Sequence, residues 1–263
     1  MAKLIDSHAH LDVEAFDADR EEVLARAKQN GISAIINVGA TDGIEGAKRS
    51  LQLAKKHQFI FCSVGIHPSD AKELSEEWLK FIEELASDPF VLGIGETGLD
   101  LYWEKSLSDK QVMFFEEQIK LAKKIKKPLI IHSRKAEKEC IEILKQNGAY
   151  EVGGVFHCFE GSYELAKKVF DINFYISFTG ILTFKKNKDL RETASKVPLK
   201  KILLETDSPY LAPEPFRGKR CESSYLVETA KVLAEVQRVS LEKVAEETTS
   251  NAQQLFAINI PLE

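Results

Sequence analysis

The chain of 263 residues is 44% hydrophobic and 29% charged, which supplies apolar material for one sizeable core and excludes a disordered or low-complexity polymer. Its 36 Lys and Arg against 41 Asp and Glu give a formal net charge of −5, so no global basic field draws it to nucleic acid, and any polyanion must be gripped locally. No run reaches the roughly 18 unbroken apolar residues of a membrane span, and Met1–Asp6 lacks the apolar core of a signal peptide, so a cytoplasmic protein without membrane association is expected.

Short β-branched apolar runs alternate with longer amphipathic stretches. Lys3-Leu4-Ile5 opens the series, followed by a helical pattern from Asp19 to Asn30 that stops at Gly31, a C-terminal glycine signal. Strands are predicted next over Ala34–Val38, Phe59–Val64 and Val91–Ile94. A long helix follows over Lys110–Lys127, with Val112, Phe115, Ile119, Ala122 and Ile125 at helical spacing, and Pro128 ends it. The fifth and sixth strands are Pro128–Ile131 and Gly154–Phe156, and a short helix spans Leu165–Phe170. Phe174–Ser177, a helix over Asp189–Val197 and Lys201–Leu204 complete the strand series. Two tail helices, Tyr225–Val236 and Leu241–Phe256, follow, the second capped by Ser240. Eight near-continuous apolar runs describe strands buried on both faces. Their spacing, about one βαβ unit of some 30 residues, favours a closed TIM (β/α)₈ barrel over a doubly wound sheet. Without a linker or internal repeat, a single domain over residues 1–263 is expected. Cys62, Cys140, Cys158 and Cys221 are scattered with no CxxC pair and read as free thiols.

In such a barrel the C-terminal strand ends converge on one face. There stand Asp6-Ser7-His8-Ala9-His10 after the first run, Gly95-Glu96 after the fourth, His132 after the fifth, His157 after the sixth and Glu205-Thr206-Asp207 after the eighth. Four of the six histidines thus collect at one mouth. His8 and His10, two apart on an extended strand, point the same way and can bite one cation. Imidazole with carboxylate suits Zn²⁺, Mn²⁺ or Mg²⁺. His8, His10, Glu96, His132, His157 and Asp207 are too many for one tetrahedral site with an open position, but they suffice for two sites sharing a bridging carboxylate.

The sequence resembles the TatD family of metal-dependent deoxyribonucleases, within the amidohydrolase-like barrels. The resemblance lies in IDSHAHLD at Ile5–Asp12, VGIHP at Val64–Pro68, IGETGLD at Ile94–Asp100 and PLIIHSRKA at Pro128–Ala136. It continues in HCFEGS at His157–Ser162, TGILTFK at Thr179–Lys185, LLETDSPYLAP at Leu203–Pro213 and NAQQLF at Asn251–Phe256. It implies one divalent cation within His8, His10, Glu96 and Asp207, and another within Glu96, His132 and His157, with Glu96 bridging. It further implies Asp207 as the base acting on the attacking water, and DNA as substrate. Where wider relatives carry a carbamylated lysine on the fourth strand this chain has Glu96, so no lysine modification is needed. Two departures fall after Arg217-Gly218-Lys219-Arg220, where Cys221 and Ser223 replace the family's Asn and Pro in a loop expected to border the mouth. Lys138 stands at a commonly acidic position on a helix surface, where no catalytic consequence is expected.

His67 is expected to contact a substrate phosphate or to cap its strand, Arg134 to bind a phosphate oxygen bidentately or to pair with a buried acid, and Arg217, Lys219 and Arg220 to form a phosphate clamp or a solvated loop. Tyr102-Trp103 offer a stacking surface for a base or a packed loop. The site alone equally admits an amidohydrolase, esterase or lactonase acting on a small carbonyl substrate, because this fold supports many bonds. A closed structural metal site is disfavoured, and no obligate protein partner is evident.

Overall fold

A computed structural model describes residues 3–40, 42–72, 75–102 and 108–259. Eight strands, β1 (Leu4–Ala9), β2 (Ile32–Gly39), β3 (Ile60–Val64), β4 (Val91–Asp100), β5 (Leu129–Arg134), β6 (Gly154–Phe156), β7 (Phe174–Phe178) and β8 (Ile202–Leu204), pair in sequence order. Every pairing is parallel. The segment beyond β8 returns to β1, where Asp207 N–H donates to the His8 carbonyl (2.9 Å) and His10 N–H to the Ser208 carbonyl (2.7 Å). The (β/α)₈ barrel expected from the spacing is therefore what the chain adopts, with β1 and the end of β8 forming its seam.

The strands are apolar along both faces because they are covered on both. Leu4, Ile35, Ile131, Phe156 and Ile202 pack outward with helix residues such as Val23, Leu51, Phe115 and Leu144. Their neighbours Ile5, Ile36, Ile130, Val155 and Leu203 form a second cluster with Phe256 and Ile258 at the end of the last helix. This period-two alternation fills the barrel from within.

The helices are α1 (Arg20–Gln29), α2 (Gly43–Lys56), α3 (Glu76–Ala86), α4 (Ser108–Ile125), α5 (Glu137–Gln146), α6 (Tyr163–Phe170), α7 (Lys188–Lys196), α8 (Leu226–Gln237) and α9 (Leu241–Phe256). Ser240 caps α9 as expected, accepting from Lys243 N–H at 3.1 Å. Lys126, with φ 57°, ends α4 two residues before Pro128. The sequence patterns set no bounds for three of the helices, α2, α3 and α5. In α2 the poor helix formers Gly43 and Gly46 mask the pattern, while buried Ala47, Leu51 and Ala54 hold the helix against the barrel. The expected end of β4 also moves. The strand continues six residues past Ile94 to Asp100, so Glu96 lies within it. Gly98 permits this: its φ is +138°, and a Cβ there would stand 2.0 Å from the His132 carbonyl oxygen. Only glycine allows β4 and β5 to approach so closely at the mouth.

Candidate metal centre

All six expected ligands converge at the C-terminal mouth. Along β1 and the residue just beyond it, alternation turns Asp6, His8 and His10 to one side, and the Nε2 atoms of His8 and His10 lie 3.2 Å apart. Asp207 Oδ1 stands 3.6 Å from His8 Nε2 and 3.5 Å from His10 Nε2. Glu96 faces both halves of the site. Its Oε2 lies 3.5 Å from His8 Nε2 and 3.9 Å from His10 Nε2. Its Oε1 lies 2.6 Å from His132 Nδ1 and 2.7 Å from His157 Nε2. Two donors sharing one cation at ~2.1 Å sit roughly 3.0–3.4 Å apart at tetrahedral to octahedral angles, so this donor set fits divalent cations. Among the described residues the candidate ligand groups all fall here: His8–His10–Asp207, His8–Glu96–His157 and His67–Glu96–His132, with the donor atoms of each within 4.8 Å of one another.

Outer partners orient the rings. His10 Nδ1 is 3.0 Å from the Val38 carbonyl, which takes the ring proton and frees Nε2 for the site. His132 Nε2 lies 3.1 Å from Asp100 Oδ2, turning Nδ1 toward Glu96. His157 Nδ1 is 3.6 Å from Glu205 Oε1, an oxygen that also accepts the Cys158 N–H at 2.6 Å. Behind them Asp6, buried, accepts from Thr206 N–H (2.9 Å) and Thr206 Oγ1–H (2.6 Å), pinning the seam that carries Asp207. Asp100, Glu205 and the Val38 carbonyl were not assigned from sequence. Asp100 was detectable: it follows Glu96 by four residues, an even offset that puts both on one face of an extended strand.

The electrostatics are those of an anionic cage. Burial would raise the Glu96 carboxyl, but the charge of His157 and bonds from His132 and His157 hold it well below the usual range. Asp207 is likewise lowered despite burial, by His10 and His8. Burial and the charge of His157 push His8 down. His10 is raised to about 9, because Asp207 and Glu96 outweigh its burial. His132 and His157 are raised as well, against burial, by Glu96 with Asp100 and Glu205 respectively. Without cations the two carboxylates draw protons onto neighbouring imidazoles, so cations and protons compete for the same lone pairs.

Above these groups opens a cavity of about 1000 Å³ whose walls include His10, His67, Glu96, His132, Arg134, His157 and Asp207. His67 reaches deeper than a rim contact: its Nε2 is 3.5 Å from Glu96 Oε1 and its ring meets His132 edge-on at 4.4 Å. Arg134 lines the same cavity, its guanidinium 4.0 Å above the Tyr102 ring. Trp103 lies outside the described residues. The basic cluster is not brought in. Arg220 binds Asp19 bidentately (2.8 and 2.7 Å) and the Ala15 carbonyl (2.6 Å). Arg217 stacks on Phe184 at 4.1 Å and Lys219 approaches Phe216 at 5.6 Å, and none of the three lines the cavity. Opposite charge and aromatic faces nearby are satisfied before a phosphate could be. Cys221 and Ser223 are also not at the rim. Both are fully buried, beside the seam, because the loop folds inward to pair Glu222 with Arg26 at 2.6 Å. Lys138 is exposed on α5, and the four cysteines are free.

A family model described as TatD related DNase matches residues 5–257. The chain belongs to the TatD family. The Bacillus subtilis relative named uncharacterized metal-dependent hydrolase YabD is 44% identical over 256 residues, covering 97% of this chain and 100% of the relative. The Escherichia coli metal-dependent hydrolase YcfH is 36% identical over 259 residues, covering 97% and 96%. The crystal structure of the Escherichia coli TatD homologue YjjV superposes with a TM-score of 0.92 at 30% identity, covering 98% of this chain and 99% of that one. The TatD-family chain is thus a metal-dependent hydrolase built on a TIM barrel. Among its described residues no helix is long and apolar enough to cross a membrane.

Proposed function

We propose that this TatD-family hydrolase is a deoxyribonuclease that uses two divalent cations, Mg²⁺, Mn²⁺ or Zn²⁺. The observation that carries the proposal is the disposition of Glu96, whose two oxygens face separate histidine sets. His8, His10, Glu96 and Asp207 would hold one cation, and Glu96, His132 and His157 the other. When bound, such a pair neutralises phosphoryl charge and makes a water acidic enough to attack. The chain's own groups do the rest. Asp207, held ionised, is placed to take the proton of the attacking water. His67, pushed toward its neutral form by burial and by His132, is placed to donate to a phosphoryl oxygen. Arg134 supplies a fixed positive charge at the cavity wall. The match to a DNase-related family model supports DNA over a small carbonyl substrate.

The test incubates metal-reconstituted protein with end-labelled DNA beside a panel of esters, lactones and amides, with Glu96→Ala, which lacks the shared carboxylate, as the control for contaminating nuclease. Cleavage of DNA that disappears in the variant supports the proposal. Turnover confined to the carbonyl panel contradicts it.

A further inference from the structure

The described residues expose five large apolar side chains: Tyr102, Met113, Tyr150, Tyr210 and Val239. Two of these, Tyr210 and Tyr102, are spent at the mouth, each in a different lobe of the space above the ligands. The larger lobe of about 1000 Å³ carries Tyr210 and Trp78. A smaller lobe of about 410 Å³ carries Tyr102 and Lys135 and shares Arg134 and His157 with the first.

Trp78 sits on α3 and reaches the cavity across the first turn of α2. A Cβ at Gly43 would lie 2.2 Å from Trp78 Cη2, so the helix start is pared to backbone where the indole crosses it. Tyr210 is 54% exposed. It is carried three residues beyond Asp207 in a turn closed by its own N–H to the Asp207 carbonyl at 2.9 Å. Its ring meets that of His10 edge-on at 6.3 Å. Trp78, half-buried and held against the core, and Tyr210, exposed, thus put one packed and one open aromatic ring on the same cavity wall, and such rings serve to stack a flat group. The charges at the start of α2, beside Trp78, point the same way. Asp42 and Glu45 there are paired with Arg49 and Lys48 at 2.7 and 2.6 Å, and Arg134, the Lys or Arg among the larger lobe's described lining residues, stands at the junction with the smaller lobe. An uncharged planar group suits the Trp78 and Tyr210 wall of the larger lobe, which also holds the metal ligands with Asp70 and Asp100, and the phosphate-bearing strand suits the side of Arg134 and Lys135.

We infer that the larger lobe is a nucleobase subsite in which Trp78 and Tyr210 stack one base of the substrate beside the scissile phosphate. This rests on the nuclease reading and assigns specificity within it. Stacking of this kind tolerates any base, since every base has a π-face.

Calorimetric titration of the Mn²⁺-loaded full chain with 2′-deoxyadenosine 5′-monophosphate and with 2-deoxyribose 5-phosphate isolates the base. The nucleotide should bind at least about 5-fold more tightly than the sugar phosphate. Tyr210→Ala and Trp78→Ala should each bring that ratio toward one without weakening the sugar phosphate, and Trp78→Phe should keep most of it. Should Trp78→Ala fail to fold, the exposed Tyr210 alone decides. A ratio of one in the wild type, or a ratio retained in Tyr210→Ala and Trp78→Ala, overturns the subsite. If DNA is cleaved while the ratio is one, the subsite fails and the nuclease reading stands. If the ratio holds but DNA is not cleaved, the nuclease reading fails and the nucleotide site stands.

Discussion

Replacing Asp207 by Asn separates proton transfer from metal binding. The residue lies in left-handed conformation with φ 57°, a region Asn adopts as readily as Asp, so the backbone and its bond to His8 should persist. The side chain keeps one carbonyl oxygen where Asp207 Oδ1 now stands, 3.5–3.6 Å from the two β1 histidines. It loses its negative charge and basicity. The second ligand group, Glu96, His132 and His157, keeps its 2.6 and 2.7 Å contacts and should keep its cation. Loss of an anionic ligand should weaken the first cation roughly 10- to 100-fold, comparable with other changes around a bound metal. Turnover at saturating metal should then fall by at least ~10²-fold, the contribution of a positioned base. Equilibrium dialysis with Mn²⁺ would give metal content, and cleavage of end-labelled DNA at rising Mn²⁺ would give turnover. Near-normal turnover at saturating metal would refute the base assignment.

His132→Ala should deplete the cation on the Glu96–His157 side while leaving the β1 pair loaded, with activity partly restored by excess Mn²⁺; equal loss from both sides would count against the division of ligands. Because His10 is raised to about 9 without metal, and His132 and His157 are raised too, cations must displace protons. Affinity should therefore increase with pH up to about 9 and fall as acid returns those protons, with proton release visible by calorimetry in buffers of different ionisation enthalpy; a pH-independent affinity is the contrary result. Gly98→Ala forces a Cβ to within 2.0 Å of the His132 carbonyl at φ +138°. At a cost of ~1–3 kcal/mol or more and roughly 2–4 °C per kcal/mol at this chain length, the melting temperature should drop by at least about 2 °C, and an unchanged melt would deny that close approach.

The barrel was legible because strands covered on both faces must be apolar throughout, and Ile35-Ile36 or Leu129-Ile130-Ile131 admit few other readings. The positions of His8, His10, His132 and His157 followed once their runs were taken as strands of one barrel. What failed had a common cause. A string of residues shows which side chains can bind, and not which are already bound. Arg220 reads as a free cation until Asp19 is found beside it, and Cys221 reads as a rim residue until the loop is seen folding inward. Asp100, detectable by its offset from Glu96, is missed when β4 is ended at Ile94, since the glycines at 95 and 98 look like strand breakers. Their unusual backbone is instead what carries the strand to the site. Trp78 reaches the cavity from a different β/α unit, and no local pattern announces that.

The central claim is a pair of cations bridged by Glu96. Reconstitution of the full chain with Mn²⁺, with metal counted by plasma mass spectrometry and the same sample examined by electron paramagnetic resonance, tests it most directly. Two ions per chain with an exchange-coupled spectrum, which collapses to uncoupled Mn²⁺ in Glu96→Ala, is the predicted result. One ion per chain, or two ions with no coupling in the unaltered protein, would contradict it.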